Sequence, residues 1–142
     1  MINLLLSCAL LGSVEVSKQN IHEIINTSYQ CEIAKEVQEW IPLINKYFRS
    51  EESTLALTVL YCESSGRSKV TGYNKDGSYD QGLFQINSNT EQWLEEKIYK
   101  RELDMYDAET NVKVSSWIVE NIGNWSWWNS SKKCWGRYGI SN

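Results

Sequence analysis

The segment from Leu55 to Glu63 limits what this chain can become. Leu55, Leu57, Val59, Leu60 and Tyr61 are large and apolar, with Ala56, Thr58 and Cys62 between them. A helix of that composition has no face suited to water and must be buried on most of its surface. The rest of the chain has to wrap around it. Ser53 is placed to cap the helix at its start, and Gly66, after Ser64 and Ser65, supplies a C-terminal stop. Glu63 is then an ionisable group where a buried helix emerges into a turn.

The segments on either side are packing material for that helix. Ile33, Val37, Trp40, Ile41, Ile44 and Phe48 fall on one helical stripe within about residues 21–48. Pro42 interrupts it, so two helices or one kinked helix are expected. From Val70 to Asn87 the pattern changes to Gly, Asn, Asp, Ser and Tyr, and Asp76-Gly77 between short alternating segments is a strong β-hairpin signal. Helical spacing returns at Thr90–Arg101 and again from Asp107, a good N-cap, to Ile122. The stretch from Trp125 to Tyr138 is aromatic and irregular. The expected class is α+β, mostly α, with one small antiparallel hairpin beside the buried helix.

At 142 residues the chain has the size of one folded unit, and 42% hydrophobic with 23% charged residues is ordinary for a globular protein. Seven Trp and eight Tyr are less ordinary. Such numbers either fill a core or line a surface that grips flat apolar faces, those of sugar rings included. The net charge of −4, with no run of Lys or Arg, argues against nucleic acid as a partner.

Residues 1–16 read as a signal-peptide-like segment. The apolar run Met1–Gly12 is far shorter than the roughly 20 residues a membrane span needs, and it lacks the usual basic start. Leu5-Leu6-Ser7-Cys8 also loosely resembles a lipoprotein signal, in which the Cys is acylated. A secreted or periplasmic location is therefore expected. If export removes or modifies Cys8, three cysteines remain, so at most one disulfide forms and one thiol stays over. The single histidine, His22, and the wide spacing of the cysteines leave no metal-ligand cluster. Neither a metal nor a cofactor is expected.

A carboxyl group at the position of Glu63 is partly desolvated, which disfavours its charged form and suits it to donate a proton near neutral pH. The plain alternative is that Glu63 is the first solvated residue after a core helix. Asp80 follows seventeen positions later, on the far side of the hairpin signal. A helix end, a strand, a tight turn and a returning strand can bring it opposite Glu63 across a groove. Two facing carboxyls in unlike surroundings are what glycosidic cleavage needs, although Asp near a turn is common for other reasons.

Glu63-Ser64-Ser65-Gly66, followed by Tyr73-Asn74-Lys75-Asp76-Gly77-Ser78-Tyr79-Asp80-Gln81-Gly82-Leu83-Phe84-Gln85-Ile86-Asn87-Ser88, closely resembles the active-site segment of c-type lysozymes and of the related soluble lytic transglycosylases. Both groups share the Glu-Ser start and the Gly-Leu-Phe-Gln-Ile-Asn block. The Asp-Gly-Ser-x-Asp run is more like the lysozymes. The likeness spans about residues 53–136 and is strongest from 63 to 88. It implies a lysozyme-like fold, with 17–50 as an N-terminal helical segment packed on a catalytic domain of 51–142. It implies Glu63 as general acid and Asp80 as nucleophile or electrostatic stabiliser. Gln85 and Asn87 match positions facing the substrate and the neighbouring carboxylates. Trp125 and Trp128 resemble the family's paired tryptophans, the first of which packs against the acid, and Asn111 sits in a helix similar to one of the transglycosylases. Tyr73, at the head of the block, is a further substrate-binding candidate.

The chain departs from the lysozyme pattern in three ways. The eight-cysteine framework is absent. Cys62 lies one helical turn beyond a family cysteine on the same face, which supports a bond to Cys134 closing a loop of about 70 residues, worth roughly 4 kcal/mol in the chain-entropy account. The protein is acidic where those lysozymes are basic, consistent with a phage or bacterial origin. Thr90 and Glu91 stand where they carry sugar-stacking tryptophans, so that wall of the cleft must be rebuilt, with Trp93 as a candidate. The resemblance thus implies a monomeric muramidase, acting on the β-1,4 bond between N-acetylmuramic acid and N-acetylglucosamine of peptidoglycan. The alternatives are a lytic transglycosylase forming 1,6-anhydromuramic products and a non-catalytic wall-binding module.

Overall fold

The computed structural model of the chain describes residues 31, 35–122 and 124–138. The expected leader, Cys8 and most of the stretch before residue 35 lie outside the described residues. After a 3-10 turn at Gln38–Trp40, helix α1 runs over Ile41–Tyr47 with Pro42 in its first turn. There the missing N–H has no helical partner to lose, so the proline opens a new helix and kinks nothing.

Helix α2, Ser53–Ser64, packs against α1 and the segment Ser126–Trp135, and its Ala56, Val59 and Leu60 are fully buried. Ser53 does not cap it. The chain turns so that the carbonyl of Arg49 accepts from the N–H groups of Glu52 and Ser53, and the Ser53 hydroxyl donates to that same oxygen at 3.2 Å. At the other end the left-handed turn begins at Ser65 (φ 52) and continues at Gly66 (φ 79). Gly66 is required there, because a Cβ would stand 2.7 Å from the carbonyl oxygen of Glu36.

The hairpin forms where Asp76-Gly77 places it. Strands β1 (Thr71–Tyr73) and β2 (Tyr79–Gln81) pair antiparallel, Gly77 takes φ 87, and Asp76 Oδ1 accepts from the backbone N–H and the hydroxyl of Ser78. A third strand, β3 (Ile86–Asn87), extends the sheet in the order β1-β2-β3. Two residues are too few for the alternation that marks strands in sequence. Helix α3, Ser88–Leu94, starts two residues earlier than its apolar spacing indicates, because Asn87 caps it by accepting from the N–H of Asn89. It runs on as a π-helical turn over Glu95–Tyr99.

Helix α4, Ala108–Ile122, is capped as expected, with Asp107 Oδ2 accepting from Thr110 N–H at 2.8 Å. Its Asn111 is fully buried and fully bonded: the amide donates to the carbonyls of Gln81 and Met105, and its oxygen accepts from Phe84 N–H. Helix α5, Lys132–Trp135, lies between 3-10 turns at Ser126–Ser131 and Gly136–Tyr138. The aromatic tail is thus more regular than its sequence indicates. The class is α+β, mostly α, with the small sheet beside α2, as expected.

Cys62 and Cys134 are bonded across 72 residues, joining α2 to α5. The expected leftover thiol is not found. Cys31 is also disulfide-bonded, and none of the described cysteines is free. The expectation rested on losing Cys8, and the structure leaves Cys31 with a disulfide partner. Among the described residues no helix is long and apolar enough to cross a membrane.

Candidate active site

The sheet aligns three residues across its width: Gly72 opposite Asp80, and Asp80 opposite Asn87. Directly opposed residues share a face, so the Asp80 carboxylate is flanked by a bare backbone on one side and an amide on the other. Both its oxygens are bonded. Asn74 Nδ2 donates to Oδ2 at 3.0 Å and Asn87 Nδ2 to Oδ1 at 2.8 Å. The same two amides donate to the hydroxyl of Ser78, which in turn donates to Asp76. The bonds from the hydroxyl and N–H of Ser78 hold the Asp76 carboxyl below the usual carboxylate range.

Glu63 sits in contrasting surroundings. It is the penultimate residue of α2, and its Oε1 is buried with no hydrogen-bond partner. Burial pushes its carboxyl above the usual range, and the negative charge of Asp80 adds to the rise. The Ser131 hydroxyl stands beside the carboxyl, and a bond donated from it would act in the opposite direction.

Both carboxyls line one cleft, together with Gln85, Ile86, Asn87, Thr90, Trp127, Trp128 and Ser130. Gln85 takes φ 51, and its amide donates to the carbonyls of Val70 and Gly82, so its nitrogen shapes the Gly82–Gln85 loop. The amide of Asn87 is committed to Asp80 and Ser78. Trp128 is buried at the cleft wall and its indole N–H donates to the carbonyl of Phe84 at 2.9 Å.

The remaining candidates from the sequence lie elsewhere. Trp125 is buried behind the wall, stacked on Phe48 with ring centres 5.6 Å apart. Tyr73 is 85% exposed and pairs with Tyr79, one position along from Gly72 and Asp80 and hence on the opposite face of the sheet. Trp93 is exposed on α3 and does not line the cleft. The exposed aromatic of the cleft is Trp127, at 42%, which the sequence reading passes over. A signal for it exists: in a 3-10 segment the repeat is three, so Trp125 and Trp128 share one side and Trp127 falls on another.

Chemically, the cleft combines a carboxyl pushed above its usual range by burial with a carboxylate whose oxygens are met by amide donors. Such a pair can protonate a leaving oxygen on one side while stabilising a developing cation on the other. Among the described residues no group of His, Cys, Asp and Glu is arranged to hold a metal ion. No curated protein and no solved structure matches the chain. The family model described as "Lysozyme like domain" matches residues 44–130, more than half of its length and all of the cleft. The chain belongs to the lysozyme-like domain family.

Proposed function

We propose that this protein is a peptidoglycan-degrading glycoside hydrolase, a muramidase, with Glu63 as general acid and Asp80 as the carboxylate that stabilises or captures the oxocarbenium-like centre. One observation carries the reading: two carboxyl groups share a cleft, one desolvated and lacking a partner on Oε1, the other bonded on both oxygens. Gln85, Asn87 and Trp127 form the surroundings of the bound glycan. Trp127 takes the part of the sugar-stacking aromatic, in a cleft that Thr90 also lines. Disulfides fit action in an oxidising compartment outside the cytoplasm.

Lytic transglycosylation is the second reading, since the same acid serves it and the family covers both outcomes. The two differ in what attacks the cationic centre, water or the sugar's own hydroxymethyl group. Mass spectrometry of digested peptidoglycan separates them: reducing muramic ends are expected, and 1,6-anhydro ends would replace this reading with the second. Asp80→Asn should abolish hydrolysis and be partly tolerated in a transglycosylase. A wild-type protein that fails to clear a suspension of bacterial walls would leave only wall binding.

A further inference from the structure

One oxygen on the cleft wall has no donor. The side-chain nitrogen of Gln85 donates to the carbonyls of Gly82 at 2.9 Å and Val70 at 3.2 Å. Carbonyls only accept, so the amide has one workable orientation and its oxygen is turned away from them. Among the described residues nothing donates to Gln85 Oε1, and it is open to solvent, since the one buried side-chain oxygen without a partner belongs to Glu63.

Gly72 makes room beside that oxygen. A Cβ on Gly72 would stand 3.0 Å from Gln85 Oε1 and 4.0 Å from Asp80 Oδ2. Gly72 lies in strand β1 and is not among the glycines of positive φ, so what it supplies is the missing side chain. The space that side chain would fill is a niche between two residues that line the cleft, with an acceptor on either side. Oδ2 already accepts from Asn74, and a carboxylate oxygen has a second lone pair to offer. Water matches the niche: two protons meet two acceptors, and a lone pair is left for the cleft. Asp80 itself is poorly placed to bond to a sugar. Both its oxygens are tied to amides that Ser78 holds, and it would have to leave them to reach a carbon.

We propose that Gln85 is a positioning residue, and that the niche over Gly72 seats the water that attacks the anomeric carbon, its protons directed at Asp80 Oδ2 and Gln85 Oε1. Glu63 gives its proton to the glycosidic oxygen as the bond from that oxygen to the anomeric carbon breaks. The water oxygen forms the new bond to the same carbon, and Asp80 takes the proton that the water sheds. Acid and water then act on opposite faces of the sugar, so the configuration is inverted. The proposal rests on the hydrolase reading with Glu63 as general acid, and within it Asp80 stabilises the cation and does not capture it.

The test is 1H NMR of the first turnovers of wild type on a soluble glycan fragment of peptidoglycan, read before the anomers equilibrate. The bond cut is β, so the new reducing muramic residue should appear as the α anomer. A β anomer would overturn this proposal and leave hydrolysis standing, whereas 1,6-anhydro ends would overturn both. Gly72→Ala fills the niche and should lower kcat by about 10²-fold with KM little changed, the usual cost of a displaced reactant. Gln85→Met keeps the length of the side chain without the acceptor, and should lower kcat by about tenfold, the size of one hydrogen bond. Full kcat in either variant would overturn the seat assigned to the water. The stereochemistry needs no variant, so it decides the matter even if a substitution prevents folding.

Discussion

The end of α2 and the middle of the sheet present the same functional group to one cleft in opposite ways. The Glu63 carboxyl is carried by a helix whose residues before it are almost all buried, and it keeps one oxygen without a partner. The Asp80 carboxylate is carried by a strand lined with amides and has a donor on each oxygen. Scaffold, and not residue type, therefore decides which carboxyl is desolvated and which is met by donors on both oxygens. An apolar helix terminus removes water without replacing it, whereas a polar hairpin replaces water with fixed N–H dipoles.

The largest expected effect comes from erasing the helix side of this contrast. Glu63→Gln keeps the shape and removes the transferable proton, and lysis of bacterial walls should fall by about 10²–10⁴-fold, the usual share of a general acid. Full retention in a turbidity assay would end both enzymatic readings. The sheet side is tested by Asn87→Ser. Serine can still cap α3 but cannot reach Asp80 with an amide, so a loss of about tenfold is expected, on the scale of one orienting hydrogen bond. Asn74→Ala should do less, about two- to threefold, because Asn74 is exposed and water can replace its donor. If Asn74→Ala were the more damaging of the two, the idea that the buried side of the clamp matters most would fail.

The two sides were not equally legible in the sequence. The hairpin announced itself, because Asp76-Gly77 is a local signal and the register it sets places Gly72 opposite Asp80. The burial of α2 was legible for a similar reason, since a helix with no polar face has one destination. The wall of the cleft was not. Whether Trp125, Trp127 or Trp128 faces the groove depends on a 3-10 segment whose backbone no propensity marks, with Trp128 itself at non-helical angles. Ser53 misleads, because a hydroxyl at a helix start suits a cap, yet its proton goes to the Arg49 carbonyl four residues earlier.

The smallest effect is on stability, and it isolates the cost of charging the buried group. In the unfolded chain Glu63 titrates near its ordinary 4.5, and burial in the fold raises that value. The folded state thus binds the proton more tightly, so the contribution is fully present below the unfolded value and is lost as pH rises through the folded one. Glutamine has no proton to lose, so burial costs it nothing further as pH rises. The melting temperature of Glu63→Gln relative to wild type should therefore climb as pH rises above the unfolded value of 4.5. Glu91, whose carboxyl is also raised by burial, is common to both proteins and cancels. Parallel melting curves across that range would mean that Glu63 meets water or a donor when it ionises, and the contrast with Asp80 would lose its physical basis.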